Sequence, residues 1–290
     1  MRSIHVIFTI KRSESVNFGI KRRKGFGVFI LAVITQKNLK LYYHPASSAS
    51  MRVTLYLSCR DVPEEIVRLV STGVTTDHRG ILVFTLPEND PDTSILGTTD
   101  LRAFNPEGRI PVLLLPDGRK MTQSGPIIDY IESQIDDAGS SLVSEDPWVN
   151  ANIKRLMWII AADIQPYQNI PFIIQAMSDW GMVKASPTEH PLRLHFIRRE
   201  FGAVETIMEE TAGKFSVGNK ISLADCFLVP QIRNALLAGI DLDKEFPTIS
   251  KVFNNLLEVP NISKVVDDAG GAVQPFAFDA EKFQVFHEKN

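Results

Sequence analysis

"NPEGRIPVLLLPDGRKMTQSGPIIDYIESQI" runs from Asn105 to Ile135, and its order of elements decides the fold. "IPVLLL" is a short apolar run with the length of a buried strand. "PDG" (116–118) is a tight turn, because Pro presets φ and Gly tolerates positive φ. "RKMT" then reads as the return strand of a hairpin. Ser124 follows as the expected N-cap of a helix whose second residue is Pro126, near a position where a missing N–H costs nothing. Ile127, Ile128, Ile131 and Ile135 give that helix an apolar face.

Upstream, "LYYH" (41–44) reads as a strand ending at Pro45. "RVTLYL" (52–57) alternates like a strand, yet Val53, Tyr56, Leu57 and Arg60 also fit one face of a helix. The residues alone leave both readings open. "PEEIVRLV" looks helical, "GILVFTL" looks like a strand, and "PENDPDTS" looks like a loop. Downstream, "DDAGSSLVSEDP" (136–147) is a polar linker, and nearly everything after it is helical. Trp148, Ile153, Met157, Ile160 and Ile164 recur at helical spacing down to Pro166, which should kink or end that helix. "HPLRLHFIRREFGAVETIMEETAG" is a long amphipathic helix stopped by Gly213. Ser222 with Asp225 three residues on is a capping-box variant opening another. Strands first and helices after predict an α/β unit followed by an all-α unit.

The chain has 290 residues, 44% hydrophobic and 22% charged, with net charge −3. That is enough apolar mass for a sizeable core, and the charge argues against a polyanion-binding surface. The two cysteines, Cys59 and Cys226, lack metal-type spacing and read as core thiols of a reducing compartment. Residues 1–38 are rich in Lys and Arg, with Glu14 the one acid. Such a leader is a transit peptide, a disordered extension or an upstream translation. Its apolar run "GFGVFILAVI" (25–34) is too short to span a bilayer, which takes about 20 residues. The expected location is the cytoplasm, or the mitochondrion if the leader is a transit peptide.

"SSAS" (47–50) poses the functional question. No G-x-S-x-G elbow surrounds a serine, no H-E-x-x-H occurs, and the histidines do not cluster. "GFGVFI" lacks the third Gly of a dinucleotide loop, and there is no Walker sequence. No metal site is expected. A hydroxyl with no base beside it is a poor nucleophile but a good hydrogen-bond donor.

The motifs "SSASMRV", "NPEGRIPVL", "TQSGPIIDYIE", "IQPYQNI", "TAGKFSVGNKISLADCFLVPQIRNA" and "FPTISKV" resemble, in order and type, the zeta class of glutathione transferases, the class that includes maleylacetoacetate isomerase. The resemblance implies a thioredoxin-like domain at 39–137, an all-helical substrate domain at 145–268 and a homodimer. It also implies that the stretch after the serines is the first helix. Glutathione would be the cofactor, with a thiol mostly protonated at neutral pH. Ser47 would be the main donor to its thiolate, Ser48 an assistant and Ser50 a cap, helped by the helix N-terminus. For Arg52 two roles stay open, charge support at the thiolate or a structural pair with an acid. Ile110-Pro111 resembles the family's cis peptide, which turns the Ile110 backbone toward glutathione. Gln123 and Ser124 would hold the γ-glutamyl end. Gln165, Gln168 and Asn169 match ligand-reaching residues of the second domain. Ser222 and Asp225 match a folding motif.

Departures bear on the substrate. Ala49 stands where the isomerases carry Cys, and Thr54 where they carry a second arginine. Leu237 replaces an arginine thought to grip the substrate carboxylate, and Arg233, one turn earlier, is the candidate substitute. Residues 63–104 are longer than the family's usual segment, which reads as a functional flap or, preferably, retained unspliced sequence. The tail 269–290 carries Phe276, Phe278, Phe283 and Phe286, suited either to covering an apolar site or to disorder. The expected activity is addition of the glutathione thiolate to a conjugated electrophile, released after bond rotation by an isomerase or retained by a transferase. The alternatives are an enzyme for aromatic or secondary-metabolite electrophiles, or a non-catalytic binding module.

Overall fold

The computed structural model describes residues 33–34, 38–76, 82–136, 141–179 and 189–270. Most of the basic leader, and the tail beyond Gly270 with its four phenylalanines, lie outside the described residues.

β1 (Val33–Ile34) pairs antiparallel with β8 (Ile135–Asp136). The central sheet has four strands, β2 (Leu39–Tyr43), β3 (Val67–Ser71), β6 (Val112–Leu114) and β7 (Lys120–Thr122), in the order β3-β2-β6-β7. β3 runs parallel to β2, with Leu39 opposite Val67, while β6 is antiparallel to both β2 and β7. A parallel neighbour needs a crossover, and α1 (Ser48–Cys59) supplies it. α4 (Ser124–Glu132) follows β7. This is a thioredoxin-like arrangement.

The strand-like alternation of "RVTLYL" gives way to helix because α1 is buried on several faces at once. It packs against α4, α9 (Leu223–Leu237) and α12 (Pro260–Asp268). Met51, Val53, Leu55 and Tyr56 are therefore all buried, which no single helical stripe would produce. The helical expectation for "PEEIVRLV" is corrected: Val67 onward is strand β3, because pairing along β2 overrides local propensity. "PENDPDTS" is corrected too. It closes into α2 (Pro91–Leu96), capped by Asp90 and ended by Gly97 at φ 67°.

The long segment 63–104 also contains the hairpin β4 (Gly73–Thr76) and β5 (Leu82–Thr85), and α3 (Leu101–Phe104). Its first strand, β3, joins the central sheet, and β4 and β5 form a two-stranded sheet of their own. Val70, Leu86, Leu101 and Phe104 pack with Tyr42, Ile110 and Val112 in a cluster of their own. The buried Tyr42 hydroxyl lies 2.9 Å from Asp90 and 2.5 Å from Asp92, and Lys40 pairs with Asp92 at 2.5 Å. Replacing Tyr42 with Phe leaves those carboxylates short of a donor. We expect a loss of about 1–2 kcal/mol in denaturant unfolding; an unchanged midpoint would deny that this bond anchors the segment.

The helical part comprises α5 (Pro147–Trp158), a π-helical turn (Ile159–Ile164), α6 (Gln165–Gln168), α7 (Ile170–Asp179), α8 (Pro191–Thr211), α9, α10 (Leu242–Glu245), α11 (Pro247–Leu257) and α12. The π turn falls just before Pro166, where the helix was expected to kink. The main core runs without a break from Leu39 and Leu41 of β2 through α1 and α4 into α5, α8, α9 and α11. Cys59 sits beside Cys226. That neighbour and burial hold the Cys226 thiol well above its usual range, as suits an inert core thiol. None of the described helices is long and apolar enough to cross a membrane.

Candidate functional site

Where β2 ends, a turn from His44 to Ser47 starts α1. The Ser47 N–H donates to the His44 carbonyl at 3.0 Å, and the Ala46 N–H donates to His44 Nδ1 at 3.2 Å. Burial lowers the His44 pKa, which suits a neutral ring accepting at Nδ1. Ser47 is the N-cap of α1, with extended backbone, and its Oγ accepts from the Ser50 N–H at 3.3 Å. A capping hydroxyl uses a lone pair, so the Ser47 proton stays available to another acceptor. Ser50 is fully buried and its Oγ accepts from the His44 N–H at 3.4 Å. Ser48 faces the helical part, its Oγ accepting from Gln165 Nε2 at 3.3 Å.

One turn into α1, Arg52 is buried, 3% exposed. Its guanidinium carbon lies 4.5 Å from the centre of the Phe227 ring of α9, and Nη1 reaches Ser124 Oγ at 3.5 Å. No carboxylate pairs with it among the described residues, and Nε has no partner. Arg52 thus forms no structural pair with an acid among the described residues. Burial alone lowers its pKa to about 9, so it remains a cation at neutral pH. An unpaired buried cation beside a hydroxyl at a helix start is an anion-binding arrangement.

The Ile110-Pro111 peptide is cis and leads into β6. Across the hairpin, the expected N-cap shifts by one residue. Gln123 is the cap of α4, at φ 71° and ψ 127°, and Ser124 is the first helical residue. A non-glycine residue at positive φ is strained, and such strain gathers at ligand sites. Ser124 is buried, whereas Gln123 is exposed. Ile135 falls past the helix, in β8.

Glu107 was missed by the sequence reading, although it stands inside the quoted "NPEGRIPVL". Its carboxylate accepts from Gln123 Nε2 at 2.7 Å and from Thr122 Oγ1 at 2.8 Å. The loop that places it is tied by its own hydrogen bonds. Buried Asn105 donates from Nδ2 to the Arg109 carbonyl at 2.7 Å and accepts the Glu107 N–H at 3.1 Å, and Gly108 takes φ 61°. An acid on so short a loop ahead of an X-Pro strand was the available signal.

The second-domain candidates separate. Gln165 meets Ser48. Gln168 is buried and forms a reciprocal amide pair with Gln231 of α9, at 2.8 and 3.0 Å. Asn169 ends α6, and its carbonyl accepts from the Ile173 N–H at 3.0 Å. Arg233 is buried, its Nη2 donating to the Ala269 carbonyl just past α12 at 3.0 Å.

Residues 46–134 match the family model "Glutathione S-transferase, N-terminal domain", and residues 176–268 match "Glutathione S-transferase, C-terminal domain". The chain is 31% identical over 219 residues to the maleylacetoacetate isomerase of Mus musculus, covering 75% of this chain and 87% of that protein. It is 30% identical over 224 residues to the probable maleylacetoacetate isomerase 1 of Drosophila melanogaster, covering 76% and 77%. Among solved structures, a maleylacetoacetate isomerase of Anaeromyxobacter dehalogenans 2CP-1, with glutathione bound in its active site, superposes with a TM-score of 0.60 at 27% identity, covering 83% of this chain and 99% of that one.

Proposed function

The chain belongs to the glutathione S-transferase family, and from that premise we propose that it is a glutathione-dependent enzyme of the zeta type, acting on a conjugated electrophile by cis–trans isomerisation or by conjugation. The observation that carries this reading is Ser47. Its hydroxyl caps α1 through a lone pair and keeps its proton for an acceptor at the helix N-terminus. When bound, glutathione supplies the thiol whose ionised form attacks the electrophile.

The chain's residues fit that cofactor. Ser47 stabilises a negative charge at the start of α1 by hydrogen bonding, with Ser48, oriented by Gln165, on the adjacent position. The Ser124 hydroxyl, the first N–H groups of α4 and the buried Arg52 guanidinium suit a carboxylate. Arg52 is therefore assigned to the glutamyl end rather than to the sulfur. The Ile110 backbone before the cis peptide suits strand-like pairing with a peptide. We place Gln168 and Asn169 in support of this site, because Gln168 is committed to Gln231.

A second reading concerns the substrate. Leu237 removes the family's arginine, and Arg233 is engaged with the Ala269 carbonyl. This favours an electrophile less acidic than maleylacetoacetate. The proposed assembly is a homodimer, supported by exposed Trp148 and Trp158 on α5. A cytoplasmic setting is supported by the two free thiols. The test is glutathione-dependent isomerisation of maleylacetone by the purified full chain. Turnover lost on omitting glutathione is the expected result. Absence of turnover with glutathione still bound would reject the isomerase and leave conjugation of less acidic electrophiles.

A further inference from the structure

Two charges of opposite sign flank Gln123 and Ser124, and neither has a counter-ion among the described residues. On one side is the buried Arg52 guanidinium, 3.5 Å from Ser124 Oγ. On the other is the exposed Glu107 carboxylate, 2.7 Å from Gln123 Nε2 and 2.8 Å from Thr122 Oγ1, in no ion pair. A carboxylate only accepts, so the amide nitrogen of Gln123 must face Glu107, and the amide oxygen Oε1 must face the other way. The strained φ of Gln123 and the Asn105-braced loop hold both partners in place. The result is an acceptor on the Gln123 side, the Glu107 carboxylate, and a donor pair on the Ser124 side, the Ser124 hydroxyl with the Arg52 guanidinium, with Gln123 Oε1 turned away from Glu107. A zwitterionic α-amino-acid head presents the complementary charges, one ammonium and one carboxylate.

We propose that Glu107 is a specificity residue for the thiol cofactor: it orients the Gln123 amide and supplies the negative charge that receives the α-ammonium of glutathione's glutamyl head. This rests on the glutathione reading above. Thiols with a carboxylate but no α-ammonium are then discriminated against at this end, and Glu107 is the source of the discrimination. Because Glu107 is exposed, the contribution is that of a solvent-screened charge-assisted bond.

The test is titration calorimetry on the full chain as wild type, Glu107→Gln and Glu107→Ala. The ligands are glutathione and its analogue with glutaryl in place of γ-glutamyl, which lacks only the ammonium. Expected results are a roughly three- to tenfold weaker Kd for glutathione in Glu107→Ala, a change in the same direction in Glu107→Gln, and no effect of either variant on the glutaryl thiol. The glutathione effect should shrink as salt rises. Equal weakening of both thiols would overturn the proposal, leaving Glu107 as a loop brace only. Glutathione affinity unchanged in Glu107→Gln would overturn the charge role. A wild-type chain that binds neither thiol would instead remove the glutathione reading itself.

Discussion

Replacing Asp225 with Ala is expected to lower the stability of the chain by about 3–5 kcal/mol, the largest single-residue loss among these substitutions. Asp225 is fully buried in the first turn of α9. Its carboxylate accepts the Ser222 N–H at 2.8 Å, the Ser222 hydroxyl at 3.1 Å and the Ser216 N–H at 3.0 Å. Ser216 and Ser222 are themselves buried, so an alanine leaves two backbone donors with no water to turn to. Each of the two orphaned donors, one of them the Ser222 N–H of the capping box, costs about 1–3 kcal/mol, a total that brackets the expected loss. Burial raises the Asp225 pKa while these donors pull it down. Asn in its place keeps one acceptor oxygen and should lose roughly half as much. The consequence reaches the candidate site through α9, which carries Phe227 against Arg52 and Gln231 against Gln168. Equilibrium unfolding in denaturant checks this; a loss below about 1 kcal/mol for Asp225→Ala would show that the loop before α9 re-forms its bonds elsewhere.

The parts of this fold legible in the sequence are those set by local chemistry. The turn at Pro116–Gly118, the Ser222–Asp225 cap and the disturbance before Pro166 follow from residue type at fixed spacing, and each appears at its expected place. What was not legible depends on neighbours distant in the chain. "VRLV" is a strand because β2 lies beside it, and "RVTLYL" is a helix because three helices surround it. The role of Tyr42 needed Asp90 and Asp92, about fifty positions later, to come under its hydroxyl. The site divides in the same way. The serines and the Gln123–Ser124 pair stand out by type and by resemblance. That Arg52 has no acid, that Gln168 is tied to Gln231 and that Glu107 holds Gln123 are facts of side-chain direction, which no spacing encodes. Arg233 is the clearest case. Its place one helical turn from Leu237 does not encode that the end of α12 arrives beside it, where its Nη2 donates to the Ala269 carbonyl.

Replacing Ser47 with Ala is expected to raise the pKa of bound glutathione by about 1–2 units and to lower turnover at neutral pH roughly ten- to hundredfold. A hydrogen bond to a charged acceptor is worth about 1.5–3 kcal/mol, and one pKa unit is about 1.4 kcal/mol. The substitution also removes the acceptor of the Ser50 N–H, so a stability loss of about 1 kcal/mol should accompany it. The two effects can be separated. Glycine at an N-cap costs only a few tenths of a kcal/mol, so Ser47→Gly should keep most of the stability while still losing the thiolate. Ser48→Ala should have the smaller effect, because its hydroxyl is oriented by Gln165 and does not cap α1. The sign of the pH dependence follows. A raised thiol pKa moves the rise of activity to higher pH, so the Ser47 variants should recover toward wild type as the pH increases. The check is the ultraviolet absorbance of the bound thiolate as a function of pH, alongside the pH–rate profile. A thiolate titration that does not move in Ser47→Ala, but does move in Ser48→Ala, would transfer the donor role to Ser48 and leave Ser47 as the cap of α1 alone.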